Sequence, residues 1–231
     1  MHITSLQNCQ HFFDCYGDSI KRHSPNAKVV EIGSQDVNGS IRTCCPTDFE
    51  YTGVDFVVGK GVDLVLKDPY TLPLPSESVD IVLSSSCFEH SEMFWVLYLE
   101  IMRVLKPTGL FYLNAPSNGS FHRYPVDCWR FYPDSGRALI TWAKRNNIQA
   151  ELLESYTSRQ EVDQFNDFVG VFIKDEKNIF MYPERILDKK TDFTNGLVYG
   201  YDDLLNVQSF PEDILKMVVI KQIIDNQIKV I

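Results

Sequence analysis

The sequence predicts an α/β fold in which a parallel sheet is covered by helices on both faces. Short apolar runs recur at 28–32, 51–55, 79–83 and 109–114, and a strongly helical stretch, 94–105, separates the last two. Such runs are typical of buried parallel strands. The first run enters a loop with a glycine at either end, Gly33 and Gly39. This is expected where a strand ends at a ligand crevice.

The other elements of the domain follow from periodicity. The first 25 residues predict a helix with one apolar face, made of Leu6, Cys9, Phe12, Phe13 and Tyr16. Residues 134–146 predict a helix that begins after Pro133. Residues 150–156 and 168–174 predict two last strands, which we expect to pair antiparallel at the sheet edge.

The C-terminal quarter of the chain is less regular. Beyond Lys177 the periodicity weakens, and Asn195-Gly196 is a turn signal. The segment from Pro211 predicts a helix with a broad apolar face. We therefore expect a domain over 1–176 and a C-terminal extension over 177–231. Large apolar faces usually seek a partner surface, so we expect the extension to pack on the domain or on a second subunit in a homodimer.

Composition narrows the classes of partner. The chain has 231 residues, 44% of them hydrophobic, a net charge of −9 and no basic run, so free nucleic acid is not an expected partner and a small molecule is. Six scattered cysteines without a signal peptide predict reduced thiols in the cytoplasm. No apolar run approaches the roughly 20 residues of a membrane span, so no membrane insertion is expected. Scattered Cys and His predict no metal site.

Two carboxylates indicate a nucleoside cofactor. Glu31 precedes the first glycine loop, and Asp55 ends the next apolar run at the distance typical of a nucleotide-binding βαβ unit. In such units the second carboxylate takes both ribose hydroxyls. A nicotinamide-linked oxidoreductase would need a G-x-G-x-x-G loop for the pyrophosphate, and residues 33–38 do not supply one.

Four ordered blocks resemble the class I S-adenosylmethionine-dependent methyltransferases. The blocks are E-I-G-S-Q-D-V-N-G at 31–39, Y-T-G-V-D at 51–55, Asp68 with L-P-L-P-S-E-S-V-D-I-V at 72–82, and F-E-H through R-V-L-K-P-T-G over 88–109. The resemblance covers roughly residues 29–140. It is closest to a methyltransferase type 11-like group with the first motif E-I-G-S-x-D-V-N-G-S, whose members often accompany bacterial surface-polysaccharide genes.

The resemblance implies a seven-stranded Rossmann-like sheet and S-adenosylmethionine as cofactor, with S-adenosylhomocysteine as product. Glu31 would meet the cofactor's ammonium, Asp55 the ribose and Asp68 the adenine amino group. The implied cofactor contacts are Glu31, Gly33, Ser34, Gln35, Asp55, Phe56, Asp68, Pro69, Tyr70, Ser84 and Ser85. Two residues depart from the family pattern. Gln35 stands where a second glycine is usual, and Pro69 has no N–H to offer adenine.

The segment 121–132 is the candidate acceptor site. It follows the fifth predicted strand and is dense in aromatic and charged residues, which is typical of binding loops at the carboxyl edge of such sheets. We expect catalysis by His122, Asp127 and His90, and acceptor binding by Arg123, Tyr124, Trp129 and Arg130. In the competing interpretation the loop is rigid and structural: Asp127 pairs with Arg130 or Arg123, and His90 caps a helix.

The function expected from these residues is methyl transfer to a small molecule. A hydroxyl or phosphate-type oxygen of a sugar, sugar nucleotide or phosphorylated metabolite is the expected acceptor, and surface-polysaccharide biosynthesis the expected setting. The acceptor class rests on the resemblance, because a fold does not fix function. The alternative is a non-catalytic methyltransferase-like partner protein, which the departures at Gln35 and Pro69 keep open.

Overall fold

The computed structural model describes residues 3–159, 165–209 and 212–228. The predictions for residues 1–2, 211 and 229–231 lie outside these ranges. The helices are α1 (Ile3–His23), α2 (Phe94–Val104), α3 (Ser135–Arg145) and α4 (Glu212–Ile224). The strands are β1 (Lys28–Ile32), β2 (Glu50–Asp55), β3 (Leu64–Val65), β4 (Val79–Ser85), β5 (Leu105–Pro116), β6 (Glu151–Ser158), β7 (Asp167–Ile173) and β8 (Phe193–Val198).

One mixed sheet organises the molecule, in the order β3-β2-β1-β4-β5-β7-β6-β8. Strands β1 to β5 are parallel, and β7 runs antiparallel to both β5 and β6. The prediction of a doubly wound, mostly parallel sheet is confirmed, as is the antiparallel pairing of β6 with β7. That pair does not lie at the sheet edge, where it was predicted, because β8 lies outside β6. The sheet has eight strands where seven were expected.

The additional strand is β8, which pairs antiparallel with β6. Its sequence contains Asn195-Gly196, which sequence analysis interpreted as a turn. In the structure Asn195 has φ +52°, a turn-like torsion, and the register of the β6–β8 pair shifts between Ser155 and Thr157. The dipeptide therefore lies in a bulge inside a strand, so a turn-forming sequence occurs without ending the strand.

Two apolar cores flank the sheet, as the alternation of buried side chains requires. On one face α2 and α3 pack through residues such as Tyr98 and Leu139. On the other face α1 packs through Phe12, Tyr16 and their neighbours, together with short 3₁₀ turns such as Ile186–Asp188. The described part of the chain contains no helix with the length and apolar content that a membrane crossing requires.

The switch in strand order places the ligand crevice between β1 and β4. The chain moves outward through β2 and β3 on one side and through β4 and β5 on the other, so the loops after β1 and β4 diverge at the carboxyl edge. The glycine loop, residues 86–91 and the 117–134 connection all begin at this edge. Helix α4 is different in character, because Ile214, Met217, Val218, Val219, Ile220 and Ile224 all expose their side chains.

Candidate active site

The loop after β1 requires a glycine at its first position. Gly33 has φ +79°, and a Cβ added there would lie 2.6 Å from the Cys87 Cβ. Both the torsion and the space therefore exclude a side chain. The N–H groups of Gly33 and Ser34 donate to the Val54 carbonyl oxygen at 2.9 and 3.2 Å. These bonds hold the loop against the end of β2.

Asp55 ends β2 directly below this loop. Its carboxylate is buried and accepts from the backbone N–H groups of Gln35 and Val57, both at 3.2 Å. One carboxylate oxygen thus faces each neighbouring loop. A carboxylate oxygen accepts more than one hydrogen bond, so both oxygens keep accepting capacity.

Glu31 is the buried carboxyl group of β1. It is 1% exposed, and its Oε2 accepts from the Tyr51 hydroxyl at 2.7 Å. Burial raises the pKa of Glu31 to about 7, and the bond from Tyr51 and the charge of Arg42 offset part of that rise. The Arg42 guanidinium lies 4.7 Å from the Tyr51 ring centroid. Glu31 therefore has a partner but no ion pair with Arg42 among the described contacts.

Serine hydroxyls with unused bonding capacity lie at the same edge. Ser84 donates to the Ile32 carbonyl oxygen at 3.3 Å, but the buried Oγ atoms of Ser34 and Ser85 have no hydrogen-bond partner among the described residues. Buried polar atoms are normally paired. A polar ligand in the crevice would meet this unfilled requirement, so the edge fits a cofactor with hydrogen-bonding groups.

The residues expected at adenine are arranged as a surface turn. Asp68 is exposed and accepts from the Tyr70 N–H at 3.0 Å and from the Thr71 hydroxyl at 2.9 Å, and these bonds lower its pKa. The Tyr70 N–H, which could have replaced the donor missing at Pro69, is therefore occupied by Asp68. Nearer to Asp55, the loop after β2 exposes apolar side chains at Phe56, Val57 and Val58.

The 121–132 segment is docked onto the turn that follows β4. The N–H groups of Cys128 and Trp129 donate to the Glu89 carbonyl oxygen at 2.7 and 3.2 Å. The Trp129 indole N–H donates to the Ser91 carbonyl oxygen at 2.9 Å. These contacts place the aromatic-rich segment directly over the carboxyl end of β4.

An internal clamp stiffens this segment. The Asp127 carboxylate accepts from the His122 N–H at 2.7 Å and from both terminal nitrogens of Arg130 at 2.6 and 2.9 Å. The hydrogen bonds from Arg130 lower the pKa of Asp127 to about 2. The Asp127–Arg130 pairing of the competing, structural interpretation is therefore present. Arg123 uses its Nε on the Pro125 carbonyl oxygen and remains exposed.

Two histidines meet beside the clamp. The rings of His90 and His122 have centroids 5.0 Å apart and planes at 89°. His90 Nδ1 lies 2.5 Å from the Val126 carbonyl oxygen, and His122 Nδ1 lies 3.0 Å from that of Ser120. Burial lowers the pKa of His90, so this imidazole is neutral near pH 7.

The acceptor segment also reaches the first glycine loop. The Tyr124 hydroxyl donates to Gln35 Oε1 at 2.9 Å, which joins the loops that follow β5 and β1. The structure thus brings Gln35, Tyr124, His90 and His122 to one end of the crevice. Asp68 and Tyr70 form a separate turn with Thr71.

Sequence reasoning missed two features of this edge. Glu89 was quoted within a motif but given no role, although it is 1% exposed and burial raises its pKa to about 8. The second feature is a buried polar network in which Asn114 accepts from Asn8 at 3.0 Å and Asp167 accepts from Ser5 at 3.2 Å. Asn114 was detectable as a polar residue at the end of an apolar run.

Comparisons with known proteins agree with this architecture. Residues 36–113 match the family described as Methyltransferase domain. The chain is 34% identical over 93 residues to probable methyltransferase PMT19 of Arabidopsis thaliana, a match that covers 38% of this chain and 15% of the plant protein. The chain therefore corresponds to only a small part of that relative.

Two solved structures share the fold at low identity. One is the Burkholderia thailandensis 1,6-didemethyltoxoflavin-N1-methyltransferase, crystallised with 1,6-didemethyltoxoflavin and S-adenosylhomocysteine. It has a TM-score of 0.54 and 13% identity, over 74% of this chain and 79% of that one. The other is a putative sarcosine dimethylglycine methyltransferase from Galdieria sulphuraria, with a TM-score of 0.53 and 12% identity over 72% and 85% of the two chains. Over residues 36–113 the chain is therefore similar to the methyltransferase domain family, and its sheet has the Rossmann-like methyltransferase fold.

Proposed function

We propose that this chain transfers a methyl group from S-adenosylmethionine to an oxygen of a small acceptor molecule. The observation that carries the proposal is the meeting of two loops at one crevice. Asp55 lies beneath the glycine loop, and the hydroxyl of Tyr124 joins that loop to the segment that bears His122. A cofactor held by the first loop would thus face a histidine on the second.

The cofactor side is proposed from the buried groups of β1 and β2. Asp55 accepts from the two ribose hydroxyls, and Glu31 meets the ammonium of the methionine portion. Phe56 and Val57, both exposed, offer an apolar contact for adenine. Ser85 supplies a buried hydroxyl that has no partner among the described residues. S-adenosylmethionine carries no phosphate, so this set needs no phosphate-binding lysine.

The proposed reaction is an in-line displacement on carbon. The acceptor hydroxyl loses its proton as its oxygen bonds to the methyl carbon. The carbon–sulfur bond breaks with its electron pair going to sulfur, and S-adenosylhomocysteine leaves as a neutral thioether. His122 and His90 are the proposed proton acceptors, since a neutral imidazole suits general-base work near pH 7. Asp127, whose pKa is about 2, is a weak base and holds His122 in place instead.

The acceptor class is proposed from the surface of the same segment. Arg123 is exposed with only its Nε used in a described hydrogen bond, so the rest of its guanidinium can pair with a phosphate or carboxylate. Arg130 is less available, because Asp127, Ser120 and Trp129 already accept from its terminal nitrogens. The exposed ring of Trp129 suits stacking on a sugar. We accordingly propose a sugar nucleotide or phosphorylated sugar in surface-polysaccharide biosynthesis.

Direct binding tests the cofactor. Calorimetry should detect S-adenosylmethionine and S-adenosylhomocysteine binding to the purified chain. Asp55→Ala should weaken that binding by about 1.5–3 kcal/mol for each hydrogen bond lost from the charged group. The matched control is Glu50→Gln, which changes an exposed carboxylate at the opposite end of the same strand. Equal affinity in Asp55→Ala and Glu50→Gln would disprove the ribose assignment.

Product analysis tests the acceptor. Sugar nucleotides and phosphorylated sugars are incubated with the chain and cofactor, and a mass gain of one methyl group identifies the acceptor. His122→Asn should lower turnover by about 10²–10⁴ and leave cofactor affinity unchanged. Arg123→Ala should raise the acceptor KM, whereas Arg145→Ala, an exposed arginine of α3, should not. Saturable cofactor binding without transfer to any acceptor would favour the non-catalytic alternative.

Assembly and location are part of the proposal. The exposed apolar residues of α4 favour a homodimer in which this helix contacts a second copy. All six cysteines are free thiols in the structure, a state typical of the reducing cytoplasm.

A further inference from the structure

Three side chains at the acceptor end of the crevice form a set of metal ligands. Glu89 and His90 lie in the 3₁₀ turn Phe88–His90 after β4, and His122 lies in the segment after β5. One nitrogen from each ring and one carboxylate oxygen all lie within 4.8 Å of one another. We propose that this cluster, Glu89-His90-His122, binds a divalent transition-metal ion such as Zn²⁺ or Mn²⁺.

The hydrogen bonds of the histidines prepare them for this role. Each Nδ1 lies against a backbone carbonyl oxygen, Val126 for His90 and Ser120 for His122. A carbonyl oxygen only accepts, so each Nδ1 carries the proton and each Nε2 presents a lone pair. Metal-binding histidines are typically oriented in this way, with the second nitrogen donating to a carbonyl or carboxylate.

The third ligand is a carboxylate with an unfilled bonding requirement. Glu89 is 1% exposed, and its Oε2 has no partner among the described residues. Its Oε1 lies 3.6 Å from His90 Nε2. A buried carboxylate is costly to leave unpaired. A cation between Glu89 and the two rings would supply the missing partner.

The backbone around the cluster fixes its two halves against each other. The Glu89 carbonyl oxygen accepts from Cys128 and Trp129, and Asp127 accepts from the His122 N–H. Tetrahedral coordination at zinc bond lengths needs ligand atoms roughly 3–3.5 Å apart. The three ligand atoms, which lie within 4.8 Å of one another, must therefore move closer together to bind zinc. His122 can supply the movement, because its side chain is 37% exposed on a surface loop.

Two histidines and one carboxylate leave at least one coordination position open. This is the ligand set of catalytic zinc sites and of many iron(II) sites, whereas structural zinc sites are closed. The consequence for methyl transfer rests on the proposed function. An acceptor hydroxyl bound at the open position would lose its proton to solvent water more easily. The resulting oxygen would bond to the methyl carbon as the carbon–sulfur bond breaks, and S-adenosylhomocysteine would leave as a thioether. In that case His90 and His122 act as metal ligands, a role that replaces the general-base role proposed for them above.

Metal binding is tested on the full chain without any acceptor. The protein is treated with a chelator, dialysed and titrated separately with Zn²⁺ and Mn²⁺ by calorimetry. We expect one equivalent of at least one ion to bind saturably. Glu89→Gln and His122→Asn should each weaken binding about tenfold or more. The matched controls are Glu92→Gln, an exposed carboxylate three residues on, and His23→Asn at the end of α1.

The outcomes separate this inference from the proposed function. No saturable uptake of either ion, or unchanged affinity in a folded His122→Asn protein, would overturn the metal site. Circular dichroism verifies that each variant is folded. If Glu89→Gln does not fold, His122→Asn still tests the site, because the His122 side chain is partly exposed. Metal binding without methyl transfer would support the site and contradict the proposed function. Full methyl transfer in chelator with no ion bound would support the proposed function and refute a role of the ion in methyl transfer.

Discussion

Replacing Glu31 by glutamine should reduce the dependence of the protein's stability on pH. The pKa of Glu31 is about 7 in the fold, against an ordinary value of 4.5, because the carboxyl is buried. Between these values the native state holds a proton that the unfolded chain releases, so the free energy of unfolding falls as pH rises. The contribution of Glu31 is fully present below pH 4.5 and is lost as the pH passes through 7.

The difference in pKa sets the size of the effect. About 2.5 pKa units correspond to roughly 3 kcal/mol. For a chain of this length that is roughly 6–12 °C in Tm. The amide introduced by Glu31→Gln cannot ionise, and its oxygen can still accept from the Tyr51 hydroxyl. Urea unfolding at pH 5, 6, 7 and 8 should therefore show wild type losing about 2.5 kcal/mol relative to Glu31→Gln across this range.

The control for this experiment is Glu50→Gln, whose carboxylate is exposed on the neighbouring strand and should follow wild type at every pH. If wild type and Glu31→Gln change in parallel from pH 5 to pH 8, the reasoning from burial is wrong. The cofactor adds a second readout. An ammonium placed against Glu31 favours the ionised form, so S-adenosylmethionine binding at pH 6 should release a proton, seen as a buffer-dependent binding enthalpy.

Three further predictions concern the loop, the clamp and the exposed helix. Gly33→Ala should destabilise the fold by about 1–3 kcal/mol and weaken cofactor binding. The control is Gly17→Ala, which should be neutral or stabilising because nothing lies within 4 Å of the added Cβ. Similar urea midpoints for the two variants would contradict this prediction. Asp127→Asn should cost about 1.5–3 kcal/mol by weakening the pair with Arg130, and an unchanged Tm would mean that the clamp is unimportant. Met217→Glu should convert a dimer to a monomer by light scattering, and a wild-type monomer would refute the dimer.

The parallel core of the fold was predictable because its signals are local. The strands β1, β4 and β5 are buried on both faces, so each appears in the sequence as a continuous apolar run. Such a run predicts a strand by itself, whatever pairs with it. Strand β8 was not predictable in the same way. Asn195-Gly196 favours a turn in isolation, and only pairing with β6 makes the segment a strand.

The candidate site likewise contains residues that could be predicted from local sequence and residues that could not. Gly33 and Asp55 could be identified because a glycine loop and a strand-end carboxylate are features of short segments. Glu89 and His122 are 33 positions apart in the sequence, and no motif spacing predicts that they lie close together. Their proximity arises from a long connection folding back onto the turn after β4. No metal site was predicted because the scattered Cys and His show no metal-ligand spacing, and the proposed cluster is of a kind that such spacing does not reveal.

The two border strands of the sheet limit where a shortened form of this protein can end. At one border β3 has only two residues, and at the other the outer side of β8 is bridged by Leu205 through Gly196. Both borders are therefore poor templates for another chain. A fragment ending near residue 176 would remove β8 and leave the outer side of β6 unpaired from Glu154 to Ser158. An expression fragment designed around the family match should therefore extend past Leu205, or its open sheet border will promote aggregation.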